Sequence, residues 1–159
     1  MEKLAEVTFD GDQTSVTFEN IPDEYEYLLL YFEGQNNGTD EYVGIRPNFN
    51  DDTSDSNYET YFMSFDSSLN SGVRSFGRIN FMYSPDRDNH GWLSTIEGYS
   101  NPSMKTTYSS TISNPHAAQG EKNNGWWDND DVVTKMELIS ESDADFAEGS
   151  YFALYGVKA

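Results

Sequence analysis

Tyr25-Glu26-Tyr27-Leu28-Leu29-Leu30-Tyr31-Phe32-Glu33 decides how the rest of the chain is read, because it holds the longest apolar run, Leu28 to Phe32. Its apolar residues fall on both parities: Tyr25, Tyr27, Leu29 and Tyr31 on one, Leu28, Leu30 and Phe32 on the other. A strand covered on both faces has this pattern, so it is placed centrally in a sheet. Outward from it no window shows the 3.6-residue periodicity of an amphipathic helix. Short alternating runs recur instead, broken by Gly, Pro, Asn, Asp and Ser.

On the N-terminal side, residues 4–9 and 15–19 flank Asp10-Gly11 and predict a hairpin, since an Asp-Gly pair favours a tight reversal. Pro22 in Asn20-Ile21-Pro22-Asp23 cannot donate to a ladder and marks a connection. Further strands are predicted over 42–49, 57–65, 73–83, 92–97, 104–112, 132–139 and 150–157. The gaps 34–40, 50–56, 66–72, 84–91 and 114–124 are rich in turn residues, and 140–147 is read as one helical turn. About nine or ten short strands without helices predict an all-β, antiparallel β-sandwich, jelly-roll-like, as a single domain over 1–159.

The chain has 159 residues, with 9 Lys and Arg against 28 Asp and Glu, a net charge of −19, and 15% aromatics. The aromatic content argues for a buried core rather than a disordered acidic tail. Nucleic-acid binding needs a cationic face to displace counterions, and anionic membranes need one too; neither is expected. No run approaches the roughly 20 residues of a membrane span. The start, Met1-Glu2-Lys3-Leu4-Ala5-Glu6, has no basic-then-apolar signal, so cytoplasmic synthesis is expected. With no Cys, disulfides and thiol chemistry are excluded.

Catalysis is not expected. The two histidines, His90 and His116, stand in loop-like contexts, and no Gly-x-Ser-x-Gly elbow exists. Carboxylate pairs abound without one standing out, and Gly34, Gly38 and Gly44 are too dispersed for a phosphate loop. The best metal candidate is the loop from Asn50 to Asn57, where Asp51, Thr53, Asp55 and Asn57 alternate as oxygen donors suited to Ca²⁺. Ser56 and Phe62 stand where an EF-hand needs Gly and Glu, so an Asx-rich turn is the favoured reading and no cofactor is expected. Asp128-Asn129-Asp130-Asp131 is read as a solvated acidic loop. Trp92, Trp126 and Trp127 are candidates for stacking on a glycan or at an interface. Adjacent strand residues face opposite ways, so at most one of Trp126 and Trp127 belongs to the core.

Several segments together resemble a family of phage virion structural proteins, β-sandwich tail, fibre or capsid-surface components of aquatic phages. They are Val16-Thr17-Phe18-Glu19-Asn20-Ile21-Pro22 with Tyr25 to Leu30, and Arg46-Pro47-Asn48-Phe49-Asn50-Asp51-Asp52-Thr53 with Asn57-Tyr58. Ile96-Glu97-Gly98-Tyr99 before Lys105, and Gly149-Ser150 with Leu154-Tyr155-Gly156-Val157-Lys158, complete the likeness. The resemblance implies a virion protein made in the host cytoplasm, a capsid decoration or cement subunit that binds other capsid or tail proteins. A closed homo-oligomer, with a trimer as the guess, is the expected assembly. The alternative is a tail or fibre module that binds a host receptor or glycan.

Overall fold

The computed structural model describes residues 1–38, 42–65, 69–83, 90–114, 119–142 and 144–158. Among them are twelve strands: β1 (Glu2–Thr8), β2 (Ser15–Phe18), β3 (Tyr27–Gly34), β4 (Tyr42–Phe49), β5 (Tyr58–Phe65), β6 (Leu69–Arg74), β7 (Asn80–Tyr83), β8 (His90–Glu97), β9 (Thr106–Asn114), β10 (Gln119–Trp127), β11 (Met136–Ser140) and β12 (Tyr151–Val157). They form an eight-stranded sheet in the order β1-β12-β3-β8-β9-β10-β5-β6 and a four-stranded sheet in the order β2-β11-β4-β7. Every pairing between them is antiparallel. The fold is an antiparallel β-sandwich, as the alternation predicts.

Alternate residues of each strand enter the space between the sheets. The large sheet contributes Leu28, Leu30 and Phe32 of β3, Phe152 and Leu154 of β12, Trp92 and Ile96 of β8, Tyr108 of β9 and Trp127 of β10. The small sheet answers with Val16, Phe18, Val43, Ile45, Phe49, Met82, Met136 and Leu138. Phe32 sits at the centre, its ring 4.7 Å from Phe152 and 5.3 Å from Trp92, within the range where tilted aromatic pairs attract. β3 is an interior strand, but only its even-numbered side is fully covered. Tyr27, Leu29 and Tyr31 are half-buried on the outer face.

Four expectations are corrected. β1 and β2 do not form a hairpin: β1 pairs with β12 and β2 with β11, in different sheets. A type I′ reversal needs positive φ at both central residues, and neither Asp10 nor Gly11 has it, so the chain turns a corner between sheets instead. Positive φ is found at Asn50 (51°) and Asp51 (62°), where Asp52 N–H donates to the Phe49 carbonyl at 2.9 Å. The predicted strand 73–83 is split: β6 ends in the large sheet, Gly77 passes against the Tyr58 ring, and β7 starts in the small one. The turn-rich gap 114–124 holds most of β10, because β9 and β5 hydrogen-bond to it on both sides. Residues 140–147 form no helical turn where described; Phe146 instead bridges to Gln13 and Asn36.

Among the described residues the large sheet has twice as many strands as the small one, so part of its inner face has no strand of the small sheet opposite it. β7, at the edge of the small sheet, reaches β8, β9 and β10. The β5–β6 hairpin extends beyond it, which leaves Phe62, Gly72 and Arg74 half-buried on their inner side.

Candidate functional site

Strand parity sorts the three tryptophans. In β10, Trp127 turns into the core and is 0% exposed, while Trp126 turns to the outer face of the large sheet and is half-buried. Trp92 of β8 turns inward and is 3% exposed. A sugar or partner ring needs an accessible aromatic face, so Trp92 and Trp127 are corrected from stacking candidates to core residues. Trp126 remains, its ring centroid 5.3 Å from that of Tyr61 on the neighbouring strand.

The Asn50–Asn57 loop is organised around Asp52, a residue outside the alternating set. Its Oδ2 accepts from Trp127 Nε1 at 2.7 Å and from Asn57 Nδ2 at 2.8 Å, and its Oδ1 from Ser54 N–H at 3.0 Å. Burial pushes the Asp52 carboxyl up, but the hydrogen bonds from Asn57, Trp127 and Ser54 outweigh it and hold the group below its ordinary value. Tyr58 Oη donates to the Asp52 carbonyl and accepts from Phe49 N–H, both at 2.9 Å. The proposed Ca²⁺ donors go elsewhere: Asp51 pairs with Lys135 at 2.7 Å, Asp55 with Arg46, and Asn57 donates to Asp52. Asp51, Thr53, Asp55 and Asn57 therefore do not converge on one point. Among the described residues no group of three His, Asp or Glu side chains could hold a metal ion. The second acidic loop is an Asx turn, with Asp131 N–H on Asn129 Oδ1 and an ion pair from Asp128 to Lys105.

His116 lies outside the described residues, and His90 opens β8. Two ion pairs are largely covered. Arg74 meets both oxygens of Glu121 at 3.2 Å, lies 3.7 Å over the Phe62 ring, and donates to Asn123 Oδ1 at 3.3 Å. Burial pulls the Arg74 guanidinium down, and the Glu121 charge and hydrogen bond oppose that shift. Arg78 Nε donates to Glu141 Oε1 at 2.8 Å. The first pair joins β6 to β10 within the large sheet, while the second ties the β6–β7 connection to the end of β11 in the small sheet.

The outer face of the large sheet carries the rest. Register aligns Glu97, Thr107, Trp126 and Glu59 in one row across β8, β9, β10 and β5. Thr95, Ser109, Asn124, Tyr61 and Val73 form the next row, and Leu93, Thr111, Lys122, Met63 and Ser71 the one after. Ser109 Oγ donates to Asn124 Oδ1 at 2.9 Å. A depression of about 290 Å³ lies between Trp126, Tyr61, Asn124, Ser109, Thr107 and Thr95. A second, about 420 Å³, shares Tyr61 and Asn124 and continues past Lys122 and Ser71 to Val73. Tyr61, Met63, Phe65, Leu69 and Val73 are all more than 40% exposed on this hairpin. Sequence reading marked Trp126 but missed Tyr61, Asn124 and Ser109, which meet it only through strand register.

No family model matches the chain, and no curated protein does. Among solved structures it is similar to the crystal structure of Caenorhabditis elegans galectin LEC-6, at 11% identity over 93% of this chain and 94% of that one, with a TM-score of 0.40.

Proposed function

We propose that this chain is a phage virion structural protein, a capsid decoration or cement subunit that acts by binding other capsid or tail proteins and its own copies. One observation supports the binding role above the rest: the apolar, unguarded edge at β5–β6. The opposite edge, β1, carries exposed Glu2, Lys3 and Glu6 and a register shift between Lys3 and Ala5, devices that discourage strand addition. β6 has neither. It runs from Leu69 to Arg74 in unbroken register with β5, has no strand on its far side among the described residues, and exposes Leu69 and Val73. In a molecule of net charge −19, a cluster of exposed apolar side chains suits contact rather than solvation. Clusters of acids lie on loops such as 51–55 and 128–131, where mutual repulsion keeps particles dispersed.

The reading includes no catalytic step, and a trimer is kept as the working stoichiometry. Mass spectrometry of purified particles should find the chain, and light scattering should find an oligomer that Leu69→Lys dissociates. Absence from particles, or a monomer indifferent to that change, refutes the assignment. A second reading, a tail or fibre module that binds a host glycan, is favoured by the half-exposed Trp126–Tyr61 pair.

A further inference from the structure

We infer that the groove across β8, β9, β10, β5 and β6 is a binding site for a neutral oligosaccharide, with Trp126 and Tyr61 as the stacking platform. This rests on the second reading above and names its site and ligand class. The two depressions share Tyr61 and Asn124, so they adjoin and together run from β8 to β6 along the outer face. Five strands at a spacing of about 4.8 Å make this trough about 19 Å long, which suits a chain of sugar rings better than a single ring.

The chemistry of the lining selects the ligand. Trp126 is half-buried and Tyr61 47% exposed, so the pair leaves aromatic surface open to the C–H face of a pyranose. Around them stand short hydrogen-bonding side chains on interior strands: Thr95, Thr107, Ser109 and Asn124. The Ser109 bond commits Asn124 Oδ1 and leaves its Nδ2 as the amide's donor for a hydroxyl oxygen. Glu97, also in the lining, accepts from hydroxyls. A peptide would find less on the floor of the trough, because β8, β9, β10 and β5 are each paired on both sides and the one open ladder, the outer edge of β6, lies at its far end. Charge excludes an acidic sugar: Glu97 and Glu59 flank the Trp126 end, Lys122 stands alone in the second depression, and the whole molecule is strongly anionic.

The optics of the chain make the test direct. Trp92 and Trp127 are sealed in the core, so Trp126 is the tryptophan a surface ligand reaches. An array and calorimetric titrations with neutral gluco-, galacto- and manno-oligosaccharides, from di- to hexasaccharides, should give saturable binding that strengthens with length. Tryptophan emission should shift, and iodide quenching should fall. Trp126→Ala should weaken binding by at least about tenfold, Asn124→Ala by less, and Trp126→Tyr should restore part of it. Lys3→Ala, on β1 at the opposite edge of the large sheet, should bind as the parent does. Matching circular dichroism and melting among the variants separates loss of the site from loss of the fold. Binding that ignores Trp126→Ala overturns the site and leaves the glycan module standing. No binding to any glycan overturns both, as does a preference for a peptide, whereas a preference for polyanionic sugars overturns the ligand class and leaves the glycan module standing.

Discussion

Replacing Asp52 by alanine removes the acceptor that joins a surface loop to the deepest tryptophan of the core. Trp127 is 0% exposed and its Nε1 donates to Asp52 Oδ2 at 2.7 Å, so the variant leaves a buried donor without its acceptor. Such a group costs about 1–3 kcal/mol. The bonds from Asn57 Nδ2 and Ser54 N–H are partly in water and add about 0.5 kcal/mol each, at the low end for a hydrogen bond. The sum, about 2–4 kcal/mol, corresponds to a fall in Tm of about 6–12 °C for a chain of this size. Thermal melting by circular dichroism reads this, and the emission of Trp127 should move red as its pocket loosens. Asp55→Ala is the control, because it removes only the exposed ion pair to Arg46, worth about 0–1 kcal/mol. Asp52→Asn keeps volume and one acceptor oxygen and should fall between the two. The sign with pH follows from the depressed carboxyl of Asp52. Its contribution is present above the unfolded value and is lost as pH falls through the lower, folded one, so Asp52→Asn should flatten the acid limb of the stability curve. If Asp52→Ala melts with Asp55→Ala, the loop is not pinned through Trp127 and the reasoning fails.

Glu121→Gln should destabilise by about 2–4 kcal/mol in urea unfolding, since it leaves the Arg74 charge half-buried, whereas Arg74→Met with Glu121→Leu should recover most of the loss. Gly125→Ala would place a methyl 2.3 Å from the Tyr108 ring and should lower stability by at least about 1–3 kcal/mol, measured the same way; a neutral result would mean that β9 and β10 are not in this register. Burial pushes Tyr108 up to about 12 and Tyr58 up as well. Their stabilising effect is whole below the unfolded tyrosine value near 10 and is lost as pH rises toward the folded values, so melting should show an alkaline decline that Tyr108→Phe reduces. Added Ca²⁺ should raise Tm no more than Mg²⁺ at equal ionic strength, because Asp51 and Asp55 are drawn to separate cations; a Ca²⁺-specific rise abolished by Asp51→Asn would restore the site.

Much of the fold is legible from short-range pattern. Short apolar runs such as Leu28 to Phe32 and Tyr151 to Tyr155 locate strands without knowledge of neighbours, but β3 is apolar on both parities, so its buried side, that of Leu28, Leu30 and Phe32, is settled only by packing. Strand parity places Trp126 and Trp127 on opposite faces. Asn123-Asn124-Gly125 defeats it, because these residues have turn chemistry locally and become strand only when β9 and β5 pair on either side. Asp52 was hidden for a similar reason: its partner Trp127 lies 75 residues away, and nothing local distinguishes it from Asp51.

By itself, then, the sequence determined the all-β class, most of the strand positions, the strong net negative charge and the absence of thiol chemistry, since composition and alternation act within a few residues. The tertiary structure alone decided which strands meet, that Asp10-Gly11 joins two sheets rather than two paired strands, and that Tyr61, Asn124, Ser109 and Trp126 share one trough. Pairing is a long-range choice made by burial and by ladder hydrogen bonds between distant segments, and local pattern carries no record of it.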